Sequence, residues 1–205
     1  MSKIICIDIS RADEALYERL YALASPERKA RADRFRRRED ALRCVTADAL
    51  LRQVLGADYS RVEKSPDGKP FLPHRPNFHF NLSHSGKWVA IAWGSSNVGL
   101  DVESFSRNAN MEAVARRFFT EDERQYVLGD AQLQIHRFFE IWTGKESYLK
   151  YLGAGLCKDL TSFSVLSPEP GLQLHWEKLP DGSHLCLCTT EVQYTLEVLD
   201  ILQLI

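Results

Sequence analysis

Two carboxylates stand two residues apart in Val98-Gly99-Leu100-Asp101-Val102-Glu103. In an extended strand that spacing sends both acids to one face and Val98, Leu100 and Val102 to the other. Alone, the pair reads as a solvated sheet face. With a third acid it becomes a set of hard oxygen ligands for Mg2+, an ion that keeps several waters and accepts phosphate oxygens. Glu146 offers that third acid, one helical turn before Lys150. The ordinary reading of Glu146 and Lys150 is a surface ion pair contributing ~0.3 kcal/mol. Against it stand Trp142, which sets Glu146 beside an aromatic ring, and Lys145, a lysine on the apolar side of the same helix.

The second constellation is cationic. Arg28, Lys29, Arg31, Arg34, Arg36, Arg37, Arg38 and Arg43 face only Glu27, Asp33, Glu39 and Asp40. Arg28 and Arg31 share a helix face near its start, where the dipole also favours anions. The readings open are a solvated basic face, an RNA surface and a site for a phosphorylated small ligand. Few exposed aromatics interleave, and guanidinium forks match phosphate, so the last fits better. Ser83-His84-Ser85-Gly86 at a strand end suggests a hydrolase nucleophile, but it has no G-x-S-x-G elbow and no acid in an evident relay, and a hydroxyl and an imidazole there can equally bind phosphate. Lys69, in Gly68-Lys69-Pro70, is a further loop cation, and the histidines other than His84 show no ligand spacing.

These residues need elements to carry them. Ile4 to Ile9 reads as a strand. Ser25-Pro26 opens a helix, serine as cap and proline in the first turn. Helical sequence runs from there to Leu55, stopped by Gly56, with a break expected between Arg36 and Asp40. Ser65-Pro66-Asp67-Gly68 is a turn. Phe78 to His84 alternates as a half-buried strand, paired in a hairpin with Trp88 to Trp93, and Val98 to Glu103 follows as a third strand. Thr120 and Glu123 make a capping box. His136 to Leu152 is the strongest helix, with Phe138, Ile141, Trp142, Lys145, Leu149 and Leu152 on one side, ended by Gly153-Ala154-Gly155. Phe163–Val165, Leu172–Trp176, Leu185–Thr189 and Tyr194–Leu199 read as antiparallel strands. Each half is then helix plus a small antiparallel sheet, an α+β arrangement.

Composition narrows the partners. The chain has 205 residues, 44% of them apolar, enough for a substantial core, and a net charge of −2, which speaks against coating nucleic acid by bulk charge. No apolar run approaches the ~18 residues of a membrane helix, and the opening MSKIICIDIS does not read as a signal peptide. Five cysteines without a C-x-x-C pair, two of them flanking a leucine at 187, read as buried thiols in a reducing cytoplasm.

Taken in order, Gly68-Lys69-Pro70, Phe80-Asn81-Leu82-Ser83-His84-Ser85-Gly86, Val98 through Glu103, Arg116-Arg117-Phe118-Phe119-Thr120 and Trp142-Thr143-Gly144-Lys145-Glu146-Ser147-Tyr148-Leu149-Lys150 resemble the 4'-phosphopantetheinyl transferases of the long, single-chain, surfactin type. The likeness spans roughly residues 25 to 165. It implies a monomeric pseudodimer of two similar halves, 1–97 with the basic helix and 98–205 with the metal and catalytic residues, and coenzyme A between them. It implies transfer of the phosphopantetheine arm of coenzyme A to a serine of an apo acyl, peptidyl or aryl carrier protein, releasing adenosine 3',5'-bisphosphate. By position, Asp101, Glu103 and Glu146 resemble the ligands of Mg2+ (or Mn2+), Glu146 is also the expected base, Asp101 counts among the catalytic groups, and Lys150 is the pyrophosphate contact and proton donor. Arg28, Arg31, Arg43 and His84 would grip the 3'-phosphate and its surroundings, with Ser83 and Lys69 nearby. Cys44 stands where the family often carries a hydroxyl or cation, and a thiol is a poor phosphate partner. On the residues alone, a silent binding protein on this fold and another Mg2+ enzyme, such as a phosphodiesterase or nuclease, stay open.

Overall fold

Helix caps and glycines set the punctuation of the chain. The computed structural model describes residues 1–105, 110–153 and 158–204. Strand β1 (Ser2–Asp8) leads into α1 (Glu14–Leu23), whose first turn is closed by the Asp13 carboxylate accepting from the Leu16 N–H at 2.8 Å. The sequence reading did not foresee α1. Ser25 caps α2 (Pro26–Ala32) as expected, its hydroxyl accepting from the Arg28 N–H at 3.2 Å. The chain then breaks before α3 (Arg38–Leu55), which stops at Gly56 with φ +56°. A short pair, β2 (Glu63–Lys64) and β3 (Pro70–Phe71), frames the turn at Gly68, and the hairpin β4 (His79–Ser85) and β5 (Trp88–Gly94) follows.

The second half repeats this plan. Strand β6 (Val98–Glu103) precedes α4 (Met111–Phe118), α5 (Glu121–Leu128) and α6 (Gln134–Leu152), and then β7 (Gln173–Lys178) and β8 (His184–Thr189). In the first half β5 lies between β1 and β4; in the second β8 lies between β6 and β7, all antiparallel. The molecule is thus an α+β pseudodimer, two similar halves each built on a small antiparallel sheet packed with helices.

Strand β9 (Tyr194–Asp200) departs from the expectation. It crosses back to the first half and pairs with β1 in parallel, Ile4 opposite Leu196, rather than joining the antiparallel strands beside it in sequence. No strand forms at Phe163–Val165 either. Buried charges take that backbone: the Phe163 carbonyl accepts from Lys145 Nζ at 2.8 Å, and the Val165 N–H donates to Glu123 at 2.8 Å.

The core between the halves is apolar. Val98, Leu100 and Val102 on one face of β6 pack with Leu185 and Leu187 of β8 against Ile4 and Cys6 of β1 and Ala90 and Ala92 of β5. The opposite face of β1 and β5 packs under α1 and α3 through Ile7, Val89, Ile91, Leu16, Leu20, Val45 and Leu50. The expected half-buried alternation of β4 does not hold. Asn81 and Ser83, its polar positions, are both buried, because β6 runs along them.

Helix α6 starts two residues earlier than the expected His136 and ends at Gly153 in the left-handed region, φ +70°; Ala154 and Gly155 lie outside the described residues. Most of its expected apolar side is buried, but Leu152 is exposed. Lys145, which had argued for a functional face, has a structural reason. It forms a 2.8 Å ion pair with Glu123, both fully buried, and donates to the Leu160 and Phe163 carbonyls. Glu123 also caps α5, accepting from the Thr120 N–H at 2.9 Å. The described cysteines, Cys6, Cys44, Cys186 and Cys188, are free and buried, and Cys157 lies outside the described residues. Among the described residues no helix is long and apolar enough to cross a membrane.

Gly99 lets β6 lie directly on α6. A Cβ there would sit 2.0 Å from the Ser147 carbonyl oxygen and 2.3 Å from the Tyr151 nitrogen, both backbone atoms that cannot swing away. Gly99→Ala is therefore expected to destabilise the protein by about 3 kcal/mol, as overpacking does, measurable as a lower urea midpoint with an unchanged m-value.

Candidate active site

Strand β6 carries Asp101 and Glu103 on the face away from the shared core, toward α6 and β4. Asp101 is only 4% exposed, so the solvated-face reading fails. Its Oδ1 accepts from Lys150 Nζ at 2.6 Å and from the Ser83 hydroxyl at 3.0 Å. Its Oδ2 is buried with no hydrogen-bond partner. Glu103 accepts at Oε2 from the Ser85 hydroxyl at 2.7 Å. Glu146 is half-buried on α6, one turn before Lys150.

The three carboxylates feel one another. Burial raises the pKa of Asp101, outweighing the pull of Lys150 and of the Ser83 hydrogen bond. Glu103 is raised by burial and then by the Asp101 charge. Glu146 is raised by burial and then by Asp101, against an opposing effect of Lys150. Among the described residues no three acid, histidine or cysteine side chains are drawn close enough to enclose a metal as they stand. The donor set nonetheless fits a hard divalent cation. All the donors are carboxylate oxygens, like charge is packed on one face, and one buried oxygen lacks any partner.

Cations gather around His84. His84 projects at the exposed end of β4, its pKa lowered by desolvation first, then by Arg43, Lys150 and Arg31. An anion would relieve that crowding. The arginines are not equally free. Arg28 lies 3.4 Å from the buried Asp48, which also receives Arg52, Tyr59 and the Ser25 N–H. Arg43 is held by Asp40 and the Gly86 carbonyl. Arg31 is exposed. Cys44 turns inward, its thiol 3.9 Å from the Arg28 carbonyl, and so presents no group to a phosphate.

Lys69 is not a plain turn lysine. Its ammonium donates to Asn97 Oδ1 at 2.8 Å, the Tyr151 carbonyl at 3.0 Å and the Val98 carbonyl at 3.2 Å, tying the first-half turn to the end of α6. Burial without a carboxylate partner lowers its pKa to about 8. Its carbon stem, with Asn81 and Leu82, forms one side of a groove of about 270 Å³ whose other side is Glu146, Leu149 and Lys150. A second groove of about 370 Å³ adjoins it, lined by Phe71, Phe78, His79 and Leu152. The structure thus brings Asp101, Ser83 and Lys150 into contact, sets Glu103 and Glu146 beside them, lines the groove with Lys69, and gathers Arg43 and Arg31 near His84. Sequence reasoning missed Ser85 and Asn97, whose partners are distant in sequence. The two-residue step from Ser83 to Ser85, matching that from Asp101 to Glu103, was the available signal.

Residues 97–198 match the family model of the 4'-phosphopantetheinyl transferase superfamily, and residues 11–96 match that of the 4'-phosphopantetheinyl transferase N-terminal region. Over 180 residues the chain is 37% identical to the 4'-phosphopantetheinyl transferase Sfp of Bacillus subtilis (strain 168), covering 84% of this chain and 79% of that protein. It is 35% identical over 199 residues to psf-1 of Bacillus pumilus, covering 92% and 84%. To gsp of Aneurinibacillus migulanus it is 34% identical over 160 residues, covering 75% and 66%. The chain belongs to the 4'-phosphopantetheinyl transferase superfamily and is an enzyme of that class. Within it, the likeness to the Bacillus proteins puts it in the long, single-chain, surfactin-type branch.

The raised carboxylates have a cost in the ligand-free protein. A carboxyl whose folded pKa exceeds its unfolded value stabilises the fold below the unfolded pKa, and that contribution is lost as pH rises through the folded pKa. At neutral pH Glu146 therefore weakens the empty fold. Glu146→Gln is expected to melt higher than the parent at pH 7 in chelator, with the gap closing as the pH falls toward about 4, the ordinary glutamate range.

Proposed function

We propose that this enzyme transfers the 4'-phosphopantetheine arm of coenzyme A to a serine of an apo acyl or peptidyl carrier protein, releasing adenosine 3',5'-bisphosphate, and that it requires Mg2+ or Mn2+. The observation that carries this reading is the unpartnered, buried Asp101 Oδ2 beside Lys150, on the strand face shared with Glu103. Asp101, Glu103 and Glu146 would hold the divalent cation, which when bound would offset negative charge on the pyrophosphate.

In this reading the halves divide the work. Residues 1–97 grip the nucleotide end: Arg31, His84, Arg28 and Arg43 surround the 3'-phosphate, and the stem of Lys69 walls the groove. Residues 98–205 supply the reacting groups. Glu146 accepts the proton of the carrier serine. Its raised pKa brings a carboxylate nearer the range in which a general base works best. The serine oxygen bonds to the β-phosphorus while the bond to the leaving bisphosphate breaks. Lys150 neutralises, and can protonate, the leaving group. The nucleophile belongs to the carrier, so Ser83 is not needed as one. With both halves of the cleft on one chain, the enzyme works as a monomer in the cytoplasm.

Mass spectrometry of a panel of apo carrier proteins incubated with enzyme, coenzyme A and Mg2+ is expected to show the added arm on at least one. Chelation is expected to abolish the gain, and Asp101→Ala to slow it about 10²-fold, as the loss of one transition-state stabiliser does. A panel left unmodified refutes the reading. Arg31→Ala is expected to weaken coenzyme A about ten-fold, the loss of one charged hydrogen bond, and dephospho-coenzyme A far less, by calorimetry. Equal weakening of both would remove Arg31 from the 3'-phosphate.

A further inference from the structure

We infer that Ser83 and Ser85 are positioning residues that fix the two β6 carboxylates for the divalent cation. This rests on the transferase reading above and adds to it. The two hydroxyls do the same thing one rung apart. Ser83 Oγ donates to Asp101 Oδ1 at 3.0 Å and accepts the Val102 N–H at 3.2 Å. Ser85 Oγ donates to Glu103 Oε2 at 2.7 Å and accepts the Ser104 N–H at 3.1 Å. Each hydroxyl bridges an acid's side chain and the backbone of the next residue, so strand and carboxylate are located by one atom.

The hydrogen-bond count separates this role from a ligand contact. A serine hydroxyl has one hydrogen to give and two lone pairs to offer. Ser83 spends its hydrogen on Asp101 and its lone pairs on Val102 N–H and on Lys150 Nζ, at 3.0 Å. Nothing is left to donate to a phosphate. The arrangement also selects which oxygen of Asp101 stays open: Oδ1 is taken twice, while Oδ2 remains without a partner. Asn81, one rung earlier, shows the same backbone contact without the acid. Its Oδ1 accepts the Leu100 N–H at 2.9 Å, opposite Gly99, which has no side chain to hold. The rungs at Ser83 and Ser85 therefore do more than dock the strand. Outer hydrogen bonds of this kind typically alter metal affinity or activity ~10–100-fold when removed.

The test uses the full chain as Ser83→Ala, Ser85→Ala and Ser85→Thr, with folding checked by circular dichroism. Mn2+ binding is read from the free-ion paramagnetic resonance signal with coenzyme A saturating, and coenzyme A affinity by calorimetry in chelator. Each alanine variant is expected to weaken Mn2+ about ten-fold, Ser85→Ala to leave coenzyme A affinity unchanged, and Ser85→Thr, which keeps the hydroxyl, to retain Mn2+ binding. Loss of coenzyme A affinity with Mn2+ unchanged would overturn the inference and make the serines ligand contacts. No change in either would overturn it too. Should Ser83→Ala fail to fold, Ser85→Ala, at the half-buried end of the strand, decides alone. A parent chain that modifies no apo carrier overturns the transferase reading itself, a result independent of how the variants compare.

Discussion

Strand β6 pairs with β8 along one edge, which leaves the N–H groups of its other edge to be satisfied inside the protein. Buried backbone donors are almost never left unpaired. Here the partners are not a neighbouring strand's carbonyls but the side chains of β4: Asn81, Ser83 and Ser85 take the N–H groups of Leu100, Val102 and Ser104 in turn. The two sheets are stitched by a ladder of side chains. The burial of Asn81 and Ser83 on β4 and the placing of the β6 acids relative to the first half both follow from that seam. Gly99 completes it from the other direction by letting α6 press against the same strand.

Charge is distributed to match. The second half concentrates negative charge on the inner face of β6 and α6, where burial and mutual repulsion oppose ionisation. Lys150 is the positive charge in contact with that face, and it contacts Asp101 through one oxygen only. In the first half, burial and then the nearby Arg43 and Arg31 charges lower the pKa of His84, with Lys150 of the second half adding to them. Each side gathers like charge, of the kind a cation would relieve among the acids and an anion among the basic groups. Lys145 and Glu123, by contrast, are satisfied in full and play no part in the cleft.

What was legible in the sequence was local. The Ser25 cap, the Thr120–Glu123 box, the stop at Gly56 and the two-residue step from Asp101 to Glu103 depend on neighbours a few residues away, and the structure has each of them. Glu123 was read for its cap alone, so its second partner, Lys145, was mistaken for a lysine in need of a function. The run Phe163–Val165 has strand-like composition, but buried charges claim its backbone from elements far away in sequence. Lys69 reads as a turn residue because its three acceptors lie at Asn97, Val98 and Tyr151. Sequence periodicity gives the faces of an element; it does not say which distant element will meet that face.

The parallel pairing of β9 with β1 carries a consequence for how the protein is made. The first half has its strands, its helices and its hairpin early in the chain, yet one edge of β1 stays open until β9 arrives from the far side of the second half. An unpaired edge is a template for other strands. During synthesis from the N-terminus, the first sheet cannot be completed until residues 194–200 have emerged. β9 thus adds a further tie between the halves, and a chain lacking it would leave an apolar sheet with an open edge rather than a finished half-molecule.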